Sequence, residues 1–103
     1  MNSYVVNLYP VPNDGQAGQT VDVTNAAVSS ITTPLDYKTT CCYITITGGD
    51  CYVTYDGTTP STTNGHLLVI PYDRFWSKEA TRVAKFKASS GNTAHVVMSQ
   101  FTY

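Results

Sequence analysis

Charge is what this chain has least of. Of its 103 residues only 13% are charged and the formal net charge is −1, whereas soluble domains carry about 25% charged residues. A polyanion binder needs clustered Lys and Arg to displace counterions from phosphate. The six basic residues are too few and too scattered for that, so no nucleic-acid partner is expected. Long apolar runs are missing as well. No segment approaches the roughly 18 residues needed to span a bilayer. After Met1-Asn2-Ser3 there is neither a basic leader nor a long apolar core. These absences predict a soluble protein with no membrane partner and no standard export signal.

Cysteine is sparse and odd in number. Cys41, Cys42 and Cys51 cannot all pair within one chain, and their spacing suits neither a disulfide framework nor a zinc claw. They read as small buried hydrophobes in a chain that folds in a reducing cytoplasm. Catalytic motifs are lacking too: there is no Gly-x-Ser-x-Gly elbow, no Asp-x-Asp-x-Asp calcium loop and no Gly-rich phosphate cradle ahead of a helix. His66 opens an apolar segment, His95 lies inside another, and the acidic residues fall mostly at turns. The expectation is a protein that is not an enzyme and uses no cofactor or metal.

What the chain has is Thr, Ser, Asn and Tyr in short alternating segments. Residues 20–24, 26–32, 43–47, 51–55, 66–70, 74–76 and 93–101 have strand composition, with turn residues between them. Ala80–Ala88 fits helix or strand, and the alternation of Val83 to Ala88 favours strand, with Lys85 and Lys87 on a solvated edge. Many short strands predict an all-β fold: an antiparallel β-sandwich or jelly-roll-like single domain with an N-terminal strand or arm. Residues 3–9 have strand composition and are followed by Pro10, Pro12 and a turn-rich stretch. This divides the chain into an arm and linker, 1–19, and a sandwich domain, 20–103. Of Phe75 and Trp76, one is expected to anchor the core and the other to face a partner.

The segment from Cys42 to Tyr55 carries the most pattern. A two-residue turn at Gly48-Gly49 would set Thr47 opposite Asp50, Ile46 opposite Cys51, Ile44 opposite Val53 and Cys42 opposite Tyr55. One face then collects Cys42, Ile44, Ile46, Cys51, Val53 and Tyr55, which is core. The other collects Tyr43, Thr45, Thr47, Tyr52 and Thr54, a flat surface without charge. Tyr43 and Tyr52 would be diagonal neighbours on it. Such a face suits a second sandwich layer, a protein contact or a sugar platform. After it, Asp56-Gly57 and Pro60 form a strand exit. Asp56 is expected to accept from a backbone N–H two residues on, Gly57 to take positive φ, and Pro60 to turn the chain off the sheet. The residues expected to make contacts are Tyr4, Val6, Leu8 and Tyr9 of the arm, with Tyr43, Thr45, Tyr52 and Thr54.

The run Gly48-Gly49-Asp50-Cys51-Tyr52-Val53-Thr54-Tyr55-Asp56-Gly57-Thr58-Thr59-Pro60, followed by Asn64-Gly65-His66-Leu67-Leu68, is the specific part of a wider pattern. That pattern includes Val21-Asp22-Val23, Ala27-Val28, Ala84-Lys85-Phe86 and Ser90-Gly91-Asn92-Thr93-Ala94. Over residues 21–103 the chain resembles small β-sandwich virion proteins of tailed bacteriophages. The resemblance implies a structural role of the capsid cement, or decoration, type. Such a protein is a homotrimer on the capsid exterior, made in the host cytoplasm, that binds the major capsid protein and bridges its subunits. Two other roles stay open: a carbohydrate-binding module on the virion surface, stacking sugars on Tyr43, Tyr52 or Trp76, and a head–tail connector or tail subunit. Residues 1–20 lie outside the resemblance.

Overall fold

A computed structural model describes residues 9–89 and 91–102. Its elements are β1 (Val11–Pro12), β2 (Gln19–Val23), β3 (Ser29–Ser30), β4 (Cys41–Thr47), β5 (Cys51–Thr54), β6 (His66–Leu68), β7 (Tyr72–Ser77), α1 (Lys78–Val83), β8 (Lys85–Ala88) and β9 (Ala94–Thr102). Two antiparallel sheets form. Sheet A runs β2-β9-β4-β7, with β1 set end to end with β2 along β9; sheet B runs β3-β8-β5-β6.

The topology follows from one long hairpin. β2 pairs with β9, β3 with β8, β4 with β7 and β5 with β6. Rolling that hairpin up creates two further ladders, β4 with β9 and β5 with β8. Eight strands wound this way are a jelly roll, so the all-β sandwich expected from the sequence is the fold observed.

The register expected for residues 42–55 is not. β4 and β5 do not pair; they lie in different sheets, and residues 48–50 carry the chain across the sandwich. The polarity sorting itself survives: Cys42, Ile44, Ile46, Cys51 and Val53 are all fully buried. Alternation with period two has the same appearance whether two strands lie side by side or face each other across a core. The two glycines decide between these. Gly48 has φ +85°, and a Cβ there would sit 2.7 Å from the Thr93 carbonyl oxygen; a Cβ on Gly49 would sit 2.5 Å from the Asn92 side chain. The crossover therefore packs bare backbone against the neighbouring 89–93 crossover. Asp50 ties this end together. Its Oδ1 accepts from the Ile70 N–H (3.0 Å) and its carbonyl accepts from the Ser89 N–H (2.9 Å).

Other segments were also redistributed. Residues 78–83 are helical, because Ser77 caps the Ala80 N–H (3.1 Å) and Glu79 pairs with Arg82 one turn on. The expected strand begins only at Lys85. β8 is not an edge: it lies between β3 and β5. Phe86 and Ala88 fill the core while Lys85 and Lys87 stand half-buried on the outer face, the Lys85 ammonium donating to the Gly57 carbonyl (2.9 Å). Of the expected strand 26–32 only Ser29–Ser30 forms. Trp76, 7% exposed, is the core anchor and stacks on Phe86 at 5.8 Å, while Phe75 points outward and is 44% exposed.

The stretch after the arm is tied into the body. Val11 and Pro12 pair with Thr102 and Phe101, and the Asn13 N–H donates to the Gln100 carbonyl (3.0 Å). The Gln100 side chain is 4% exposed and fully engaged. Its Oε1 accepts from the Asp36 N–H (2.9 Å) and the Thr39 hydroxyl (2.6 Å), and its Nε2 donates to the carbonyls of Ala17 (2.8 Å) and Pro34 (3.3 Å).

Candidate interaction surface

The outer face of sheet A follows from the strand register. Across the sheet its rows read Ser77, Cys41, Phe101, Pro12; then Phe75, Tyr43, Ser99; then Asp73, Thr45, Val97, Thr20; then Thr47, His95, Asp22. Three aromatic rings from three adjacent strands meet there. Tyr43 lies 4.8 Å from Phe75 and 6.3 Å from Phe101, and the two Phe rings meet edge to face at 5.1 Å. Such a cluster would normally be covered. Here Tyr43 and Phe101 are half-buried, Phe75 is exposed, and Val97 extends the apolar strip. Partial desolvation, and secondarily the Asp73 carboxylate, push the Tyr43 phenol above its ordinary value, so it stays neutral. At the far end His95 Nδ1 lies 2.6 Å from Asp22 Oδ1, both exposed.

The structure separates the residues that a hairpin would have gathered. Tyr43 and Thr45 belong to this face. Tyr52 is on the outer face of sheet B, across the sandwich, beside Lys87, Asn25, Ser61 and Thr62 in a shallow cleft of about 260 Å³. Tyr43 and Tyr52 are therefore not neighbours and form no common patch. Thr54 shares Tyr52's side of β5 but is buried at 3% exposure, because loop 57–65 folds back over it. Its hydroxyl donates to the Thr58 carbonyl (2.6 Å), and a Cβ on Gly65 would come within 3.0 Å of its methyl. Tyr55, expected in the core, is 37% exposed. Tyr9 is 78% exposed; Tyr4, Val6 and Leu8 lie outside the described residues.

No family model, no curated protein and no solved structure matches this chain.

The turn residues behave as local chemistry requires. Asp56 Oδ1 accepts from the Thr58 N–H (3.1 Å) and the Thr58 hydroxyl (2.5 Å), which holds its carboxyl below the ordinary value. Gly57 has φ +84°, and Pro60 is fully buried where the loop returns. Between this loop and β6 lies a second shallow cleft, about 360 Å³, lined by Tyr55, Asp56, Asn64 and His66 among others. Burial, then the charge of Tyr72, pushes the Tyr55 phenol up to about 12. His66 and His95 stand on different sheets. Among the described residues no group of three or more His, Cys, Asp or Glu is placed to hold a metal ion.

Phe101 belongs to the surface through tertiary structure alone, since its contact with Tyr43 depends on β9 pairing with β4. The parity of the last strand, which sets His95, Val97, Ser99 and Phe101 on one face, was the available signal.

Proposed function

We propose that this chain is a non-enzymatic structural protein of a tailed-phage virion, a cement protein that sits on the capsid exterior as a homotrimer and bridges major capsid protein subunits. The observation that carries the reading is the Tyr43–Phe75–Phe101 cluster, half-buried to exposed, on a sheet face whose charged groups are Asp73 and the Asp22–His95 pair. Aromatic-rich, charge-depleted patches are what protein contacts bury. The phage-like strand-Asp-Gly-Thr-x-Pro segment supports the virion setting, and a jelly roll is a scaffold shared by capsid proteins. The mechanism is mechanical. Each bridging contact must be broken before the shell opens, and a standard interface buries about 1,600 Å² in total. The test is occupancy on purified capsids. Deleting residues 1–8 leaves β1 intact, and Phe75→Asp alters only the exposed ring; each is expected to lower occupancy. Unchanged occupancy for both removes the cement reading.

One observation favours a second reading, a carbohydrate-binding module. The Tyr55–His66 cleft combines aromatic rings with Asp56 and Asn64, the groups that stack on and hydrogen-bond a sugar. Trp76 is too buried to serve as a stacking platform. Glycan-array binding that is lost in Tyr55→Ala would favour this reading over cement.

A further inference from the structure

The aromatic face of sheet A lies beside the exit of the N-terminal segment. β1 runs antiparallel to β9, with Pro12 opposite Phe101 and Val11 opposite Thr102. Followed towards the N-terminus, the chain therefore advances past Thr102 and off the end of its own sheet. Pro10 has no N–H to extend the ladder, and Tyr9 projects into solvent.

Residues 1–8 contain no charged side chain, and Tyr4, Val6 and Leu8 recur at every second position, so an extended chain shows all three on one side. At about 3.3 Å per residue these eight residues reach roughly 26 Å. A face four strands wide measures only about 15 Å across at ~4.8 Å per strand. The edge of sheet A is the less suitable dock. β7, one of its edge strands, carries Arg74, exposed and 3.7 Å from the Asp73 carboxylate, and charge on an edge strand disfavours pairing with another strand. The Tyr43–Phe75–Phe101 rings, apolar themselves though Asp73 flanks them, suit the apolar side chains of the segment better.

We propose that residues 4–8 of one copy dock on the Tyr43–Phe75–Phe101 face of a second copy, so that the chain assembles by exchanging its N-terminal segments. The proposal rests on reading this face as a protein contact; it names the partner as a sister chain and does not depend on the virion assignment.

The test uses the full chain with a photoreactive benzoylphenylalanine in place of Val6. Equal amounts of ¹⁵N-labelled and unlabelled protein are mixed, irradiated and mapped by peptide mass spectrometry. Mixed-isotope adducts on peptides of β4, β7 or β9 are expected, with at least a tenfold drop in Phe75→Asp. Same-isotope adducts alone would mean the segment folds onto its own chain, and would overturn the proposal. Adducts elsewhere, no adducts, or adducts unaffected by Phe75→Asp would overturn it as well. Capsid occupancy is read separately. Exchange without occupancy refutes only the cement role, and occupancy without exchange refutes only this proposal.

Discussion

Replacing Gln100 should cost more stability than replacing any other polar side chain of the sheets, and the reason is countable. Its amide makes four hydrogen bonds from a site 4% exposed: two accepted from Asp36 and Thr39, two donated to Ala17 and Pro34. At about 0.5–1.5 kcal/mol net each, loss of all four would cost roughly 2–6 kcal/mol. The partners differ in their recourse to water. Ala17 and Pro34 are exposed residues, whereas Thr39 is 2% exposed and would be left short of an acceptor. That places the cost of Gln100→Met at about 2–4 kcal/mol. Met keeps the volume and apolar stem, so packing alone would cost less than about 1.5 kcal/mol. For a domain of this size the melting temperature should fall by about 10–25 °C. Urea denaturation gives the free energy directly, and hydrogen exchange should show segments 13–19 and 33–40 losing protection first. A loss below about 1 kcal/mol would refute the reasoning, since it would mean the bonds add little beyond packing.

Three further outcomes follow from the same structure. Gly48→Ala should destabilise more than Gly57→Ala by about 1–3 kcal/mol, because both have positive φ but only Gly48 would press a Cβ onto backbone; equal losses in thermal melts would count against the crossover geometry. The three thiols should resist alkylation in the native protein and all react in denaturant, since all are buried and burial pushes Cys51 up to about 11; native labelling of Cys51 at the denatured rate would contradict this. Acid should weaken the fold. Asp36 is held below its ordinary 3.8 chiefly by the Lys38 backbone N–H, Asp56 below 3.8 by Thr58, and Glu79 below 4.5 by Arg82. Folded pKa values lower than unfolded ones mean the unfolded chain takes up protons first. The contribution is complete above the ordinary values and lost as pH falls through the folded ones. Urea midpoints should therefore be level above about pH 5 and drop below about pH 4, less steeply in Asp56→Asn; a midpoint that holds or rises in acid would refute the assignment.

Local features were legible in the sequence wherever the physics is local. The Asp56-Gly57 turn formed with the hydrogen bond expected of it, because an Asx turn needs only neighbouring residues. The inward residues of β4 and β5 were right as a set, because alternation reports which side is apolar. Thr54 and Tyr55 broke the pattern where a returning loop buried one and the end of β5 freed the other. The short helix 78–83 escaped because its stretch of sequence suits both states, and the Ser77 cap tipped it towards helix.

The amino-acid pattern alone established an all-β protein, poor in charge, with two apolar strand faces joined by glycines. It did not determine which strand lies beside which. Alternation says that a face seeks cover but not what covers it, and the hairpin and the crossover satisfy it equally well. Tertiary structure made that choice, through backbone approaches that only glycine allows and the ladders that bring β9 beside β4. The same choice moved Tyr52 to the far side of the molecule and gave Tyr43 two phenylalanine neighbours. The aromatic surface thus exists because the chain rolled up, and no shorter segment contains it.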